Sequence, residues 1–173
     1  MTSSPRDGSP IVSPPVVAAT PPGPPPLRPF GLVLHHDGRF THDGEPIRHR
    51  KLREHFDRAV EYLPEEQKFI VRLGHFRGEI EVEEAGFFVR AVELDSGEIA
   101  LSDGTREPLD VASLVLSPID GALLGRVKQG LVPGGLVARF TSSAQAELLL
   151  AVEEREGQTV LRLGGALVEV PEL

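Results

Sequence analysis

The chain has 173 residues, a formal net charge of -8 and no cysteine. That excludes a disulfide framework, a thiolate metal site and a cysteine nucleophile, and it disfavours a nucleic-acid partner, because phosphate backbones are held by clustered Lys and Arg. No run of about eighteen uncharged apolar residues is present, as a membrane helix would need, and Met1 to Asp7 lacks the basic start of a signal peptide, so a cytoplasmic, non-membrane protein is expected.

Ten of the sixteen prolines precede Phe30. Proline fixes φ and removes the amide donor, so residues 1–29 are expected to be a disordered tail, with the P-x-x-P of Pro22 to Pro25 acting as a stiff tether. A single α+β domain is then expected over 30–173. Asp37-Gly38 and Asp43-Gly44 mark turns around Arg39-Phe40-Thr41, which predicts a small meander from Leu32 to Ile47. Leu52, Phe56, Ala59, Val60 and Leu63 recur at helical spacing and Pro64 stops them, which predicts a first helix over Arg48 to Leu63. The alternation of Phe69, Val71 and Leu73, then of Ile80 and Val82, reads as a hairpin closed by a five-residue loop, Gly74 to Gly78.

Strands are expected over Gly86 to Leu94 and Glu98 to Ser102, joined by Asp95-Ser96-Gly97, so that the middle of the chain is antiparallel sheet. Leu114 to Leu116, Ala122 to Lys128 and Leu136 to Phe140 follow as strands. Ser142 and Gln145 have the form of a capping box, and Ala144, Leu148, Ala151 and Val152 form one apolar stripe, which predicts a second helix ending near Glu154. Thr159 to Leu163, Gly164-Gly165 and Ala166 to Val170 form the clearest hairpin signal. A two-residue turn there sets Leu161 against Val168 and Leu163 against Ala166.

Strands, a helix and a hairpin thus occur twice, which suggests repeats over 32–94 and 113–173. The expected fold is α+β, a mostly antiparallel sheet with two short helices arranged as two repeated strand-helix-hairpin motifs. Three segments carry a family resemblance. Asp37-Gly38-Arg39-Phe40 followed by Gly44-Glu45-Pro46-Ile47 and a basic helix with Phe56 is similar to the D-G-x-[WF], G-x-P-I and basic-helix opening of the bacterial DUF1285 family, a domain-of-unknown-function family. Ile80 to Phe87 is similar to its I-x-V-E-D-A-P-F segment, with Glu84 for the Asp and Gly86 for the Pro. Gly164-Gly165-Ala166-Leu167 resembles its closing hairpin. The resemblance covers Leu34 to Leu173 and implies an α+β fold with two repeated motifs and a suggested role in signal transduction. It carries over no catalytic residue. This chain departs from the family in having no Trp, only Tyr62 as tyrosine, no aromatic strand after helix one, and a shortened Asp103 to Pro108 region.

All six histidines, His35, His36, His42, His49, His55 and His75, precede the middle of the chain. None has the i, i+4 or H-x-H spacing that aims two imidazoles at one ion, so no metal site or cofactor is expected. Glu79, Glu81, Glu83 and Glu84 read as a solvated face compensated by Arg72 or Arg77, since clustered charges are costly in a dry cleft. No G-x-S-x-G elbow or phosphate-cradling glycine loop occurs, and no catalytic residue is assigned. The basic run Arg48 to Arg53 breaks a local rule, because the start of a helix favours acidic side chains. It marks Arg48, His49, Arg50 and Arg53 as candidate ligand-binding residues, although Arg50 and Arg53 also suit pairing with Glu54 and Asp57 on a solvated helix. The expected function is a non-catalytic module binding a small anion or a protein partner. The alternative is a small hydrolase or metal-dependent enzyme using the histidine-rich half.

Overall fold

The computed structural model describes residues 27–173, so most of the expected tail lies outside the described residues. The first strand, β1 (Arg28–Leu34), begins before Phe30, and Arg28 and Pro29 already face Gly78 and Glu79 of a neighbouring strand. β2 (Phe40–His42) and β3 (Glu45–Pro46) complete the expected meander. The bend that lets β1 fold back on it depends on Gly31. This residue has φ +66°, a conformation that favours glycine, and a Cβ there would meet the Asp43 carboxylate at 2.1 Å, so a side chain would force Asp43 to turn away.

The first helix, α1 (Arg50–Ala59), is shorter than expected, and Val60–Leu63 is a strand, β4. Phe56, Val60 and Leu63 satisfy helical spacing, but pairing decides the matter: Val60 lies opposite Val71 and Tyr62 opposite Phe69 in β5 (Lys68–Leu73). A strand with Tyr62 therefore does follow helix one, contrary to the sequence reading. The expected five-residue loop is a two-residue turn, Gly74-His75, because Leu73 pairs directly with Phe76 of β6 (Phe76–Val82). These strands make the first sheet, in the order β3-β2-β1-β6-β5-β4, with β1 and β6 parallel. Phe56, the one fully buried side chain of α1, packs against Leu32, Leu34, Phe40, Val60, Val71 and Ile80 of that sheet.

β7 (Phe87–Glu93) opens a second sheet with β8 (Glu98–Leu101), β9 (Arg106–Pro108), β10 (Val115–Leu116), β11 (Leu123–Val127) and β12 (Leu136–Phe140), in the order β10-β11-β12-β7-β8-β9. β7 and β12 are parallel. The first repeat expected over 32–94 is thereby divided, since its last strand belongs to the second sheet. Adjacent strand residues point to opposite faces, so Phe87 enters the core of the second sheet while Phe88 enters that of the first. Phe69 lies against Phe87, with ring centroids 6.1 Å apart. A Cβ on Gly86 would lie 2.1 Å from the Phe69 ring, so the missing side chain at Gly86 makes room for this aromatic.

The second helix, α2 (Ser142–Leu150), is capped by Thr141, whose hydroxyl accepts the Ala144 amide, rather than by the expected Ser142 box. Gln145 instead accepts the Leu123 amide at 2.9 Å. Again a strand follows the helix at once, β13 (Val152–Arg155), leading into β14 (Gln158–Leu163) and β15 (Ala166–Glu169). The expected register holds, with Leu161 facing Val168 and Leu163 facing Ala166. The fold is α+β, and a helix followed by a three-strand meander does occur twice. The surroundings differ: the first meander joins the first sheet, whereas β13 to β15 form a sheet of their own.

Candidate functional site

A cleft of about 440 Å³ opens where α1 meets the second sheet, lined by Glu54, Asp57, Arg58, Arg90, Leu101, Ser102 and Gly104. Residues four apart on a helix share a face, which sets Arg50, Glu54 and Arg58 in one row and Arg53 and Asp57 in the next. Opposite them, β7 carries Arg90 at a β-bulge: the register runs from Val89 facing Leu101 to Ala91 facing Ala100, leaving Arg90 as the extra residue. Bulges turn a side chain out of the regular alternation. The Arg90 guanidinium lies 5.7 Å from the Phe88 ring centroid and donates from Nη2 to Asp57 Oδ2. Ser102 forms the floor, where its hydroxyl accepts the Phe88 amide at 3.0 Å.

The carboxylates of this cleft are in unequal states. Burial pushes the Asp57 carboxyl above the ordinary aspartate range, outweighing the charge and hydrogen bond of Arg90 and the charge of Arg53. Glu54 is held below its ordinary range by its hydrogen bond and ion pair with Arg50, 2.7 Å from Nε. Arg58 stands in the last turn of the helix, where its charge also acts on Glu54, and no carboxylate lies within ion-pair distance of it among the described residues. A concave site with a perturbed carboxyl beside a guanidinium outside any close ion pair is a candidate binding site.

Two other polar groupings are largely engaged in bonds of their own. Arg139 donates to Glu84 Oε2 at 2.6 Å and also to Asp120, while the Ser117 hydroxyl donates to the other Glu84 oxygen. Glu84 and Arg139 are only 9% and 8% exposed at their side chains. A larger cleft, about 570 Å³, lies between Glu107–Asp110 and Lys128–Gly130. Most of its polar groups hold its own loop: the Lys128 amide bonds Glu107 at 2.8 Å, Gln129 bonds Asp110 at 2.7 Å, and the Lys128 ammonium bonds Asp103 at 2.8 Å, while Arg126 reaches only the Gly135 carbonyl, at 3.5 Å. Burial opposes the Asp103 charge, but the Lys128 and Thr105 bonds hold its carboxyl below the usual range.

The candidates named from sequence are divided by the fold. His49 is the N-cap of α1, its Nδ1 accepting the Leu52 amide at 3.3 Å, and Arg48 is exposed just before the helix. Arg50 is bonded to Glu54, and Arg53 lends its charge to Asp57, so these two lie beside the cleft. Asp57 takes its ion pair from Arg90 across the fold rather than from Arg53. Sequence reasoning missed the cleft formed by Asp57, Arg58 and Arg90: for Asp57 and Arg58 the signal was the repeat of charge at four-residue intervals along α1, whereas Arg90, on β7, had none. Sequence reasoning also placed Glu84 on a solvated face, and that is corrected: Glu84 is buried with Arg139. The signal for this was an arginine inside the apolar run Leu136 to Phe140.

Glu79 is bonded to Lys68 at 2.7 Å and Glu83 to both the amide and ring of His36, at 2.7 and 2.8 Å, while Arg72 pairs with Glu61 instead. Among the described residues no three His, Asp or Glu side chains are grouped to hold a metal ion, and no helix is long and apolar enough to cross a membrane.

The chain is similar to the crystal structure of a DUF1285 family protein from Silicibacter pomeroyi DSS-3, with 18% sequence identity, a TM-score of 0.57 and 90% of each chain covered. A DUF1285 family protein from Shewanella baltica OS155 is also similar, with 14% identity and a TM-score of 0.46, covering 69% of this chain and 91% of that one. No family model and no curated protein matches the chain. The chain has the fold of a DUF1285 protein, the family that its Asp37 to Phe40 and Gly44 to Ile47 segments resemble.

Proposed function

We propose that this chain is a divergent DUF1285 protein that works in the cytoplasm as a non-catalytic binding module, taking a small anion in the cleft between α1 and β7, with a role in signalling. The observation that carries this reading is Arg58, a guanidinium without an ion-pair partner among the described residues, lining the same cleft as the bulge residue Arg90. Guanidinium groups present several donors in a fixed fork that matches an oxyanion. The basic run at the start of the helix supports the same reading from further off, since Arg53, unlike Arg50, which is paired with Glu54, adds positive charge along the approach. Residues 30–173 act as one unit in this proposal, because the cleft needs both sheets.

A thermal-shift screen of phosphorylated metabolites and nucleotides against wild type and Arg58→Ala tests it. A ligand present at a hundred times its Kd stabilises the folded state by about 2.7 kcal/mol, which raises Tm by roughly 5 to 10 °C for a chain of this size. The expected result is a shift in wild type that Arg58→Ala loses. Equal shifts in both proteins would place the anion elsewhere.

A further inference from the structure

Arg90 has five donor hydrogens and gives one nitrogen to Asp57, the carboxylate nearest to it. That carboxylate occupies the position which an incoming oxyanion would take on the guanidinium. Resting on the anion-binding reading above, we infer that Asp57 is the cleft's built-in counter-ion, which a phosphoryl group displaces from Arg90 while Asp57 takes up a proton.

The surrounding charges favour this exchange. From α1, Asp57 faces Arg53 and Glu54, and Arg58 lines the same cleft; from β7 it faces Arg90. The turn after β8 contributes Leu101, Ser102 and Gly104, none of them charged, and the nearby Asp103 is turned to Lys128. Glu54 is neutralised by Arg50. Once Asp57 is protonated, Arg53, Arg58 and Arg90 remain as an excess of positive charge, suited to a phosphoryl dianion. Ser102 accepts the Phe88 amide, which leaves its own O–H to donate at the cleft floor. Asp57 is prepared for the change, since burial already favours its protonated form. Losing Arg90 to the incoming anion removes the main attraction that opposes burial at Asp57, so binding and protonation reinforce one another.

Sulfate is the appropriate probe, because it mimics a phosphoryl group and does not itself titrate between pH 5 and pH 8. Calorimetric titration of the full chain with sodium sulfate, in two buffers of different ionisation enthalpy, measures the protons taken up on binding. Wild type is expected to take up protons and to lose affinity by about tenfold for each pH unit above the folded Asp57 value. Asp57→Asn is expected to bind sulfate more tightly than wild type at pH 8, by about tenfold or more, and to show neither proton uptake nor this pH dependence. No histidine lines the cleft to imitate the effect. Binding by wild type without proton uptake, or an unchanged pH profile in Asp57→Asn, overturns the counter-ion role and leaves the anion site standing. Failure of both proteins to bind either sulfate or inorganic phosphate overturns the two together.

Discussion

Arg139 and Arg90 both reach from the second sheet to a carboxylate on the first-half side of the molecule, and their surroundings could hardly differ more. Arg139 is a closed joint. It and Glu84 are almost wholly buried, Asp120 takes a second nitrogen, and Ser117 occupies the remaining Glu84 oxygen. Burial opposes the charge on Arg139, but the bonds from Asp120 and Glu84 hold its pKa above the usual arginine value. Arg90 is an open joint. Its side chain is 44% exposed, it has one partner, and that partner, 18% exposed, is held above its ordinary pKa. A satisfied network fixes how the sheets meet, whereas a pair with spare donors beside a cleft keeps capacity for a ligand.

The largest way to break this contrast is Arg139→Ala, which leaves Glu84 buried without a counter-charge. It is expected to cost about 3 to 5 kcal/mol, read as a lower midpoint in urea unfolding. A loss below about 1 kcal/mol would mean that solvent reaches Glu84 and the joint is not closed. Next in size is Gly86→Ala, two residues beyond Glu84. The added methyl collides with the Phe69 ring, and overpacking of this kind costs about 1 to 3 kcal/mol. A neutral result would show that the Tyr62, Phe69 and Phe87 cluster repacks freely.

The smallest effect separates the open joint from the closed one by sign. A folded pKa raised above the unfolded value means that the native state binds the proton more tightly, so Asp57 penalises stability at pH 7, and the penalty is relieved as pH falls through the folded value. Asp57→Asn is therefore expected to raise Tm slightly at pH 7 and to raise it less at pH 4. Lower stability of the variant at pH 7 would show that the Arg90 bond outweighs burial.

Most elements were legible because their signals are local. The Gly164-Gly165 turn and the alternation around it fixed the pairing of Leu161 with Val168. Helix ends were not, because Phe56, Val60 and Leu63 fit both helical and strand periods until β5 is present to pair with Val60. The same ambiguity extended α2 over β13. The parallel pairings β1 with β6 and β7 with β12 have no local signature at all. The site follows the same division: Arg50, Arg53 and their neighbours on α1 could be placed on one face, whereas Arg90 reaches the cleft through a bulge that exists only once β7 and β8 are in register.

Those parallel pairings also bear on how the chain assembles. Each joins strands about fifty residues apart in sequence, so each closes a loop whose entropy must be met before its contacts repay it. The meanders β4 to β6, β7 to β9 and β13 to β15 need only short turns and can form early. Until β1 arrives, however, β6 presents an unpaired edge, and β7 does so until β12 arrives, which makes partly folded chains open to strand exchange between molecules. Refolding yield should therefore fall with protein concentration even where the folded protein is stable, and sooner in variants that delay the docking of β12.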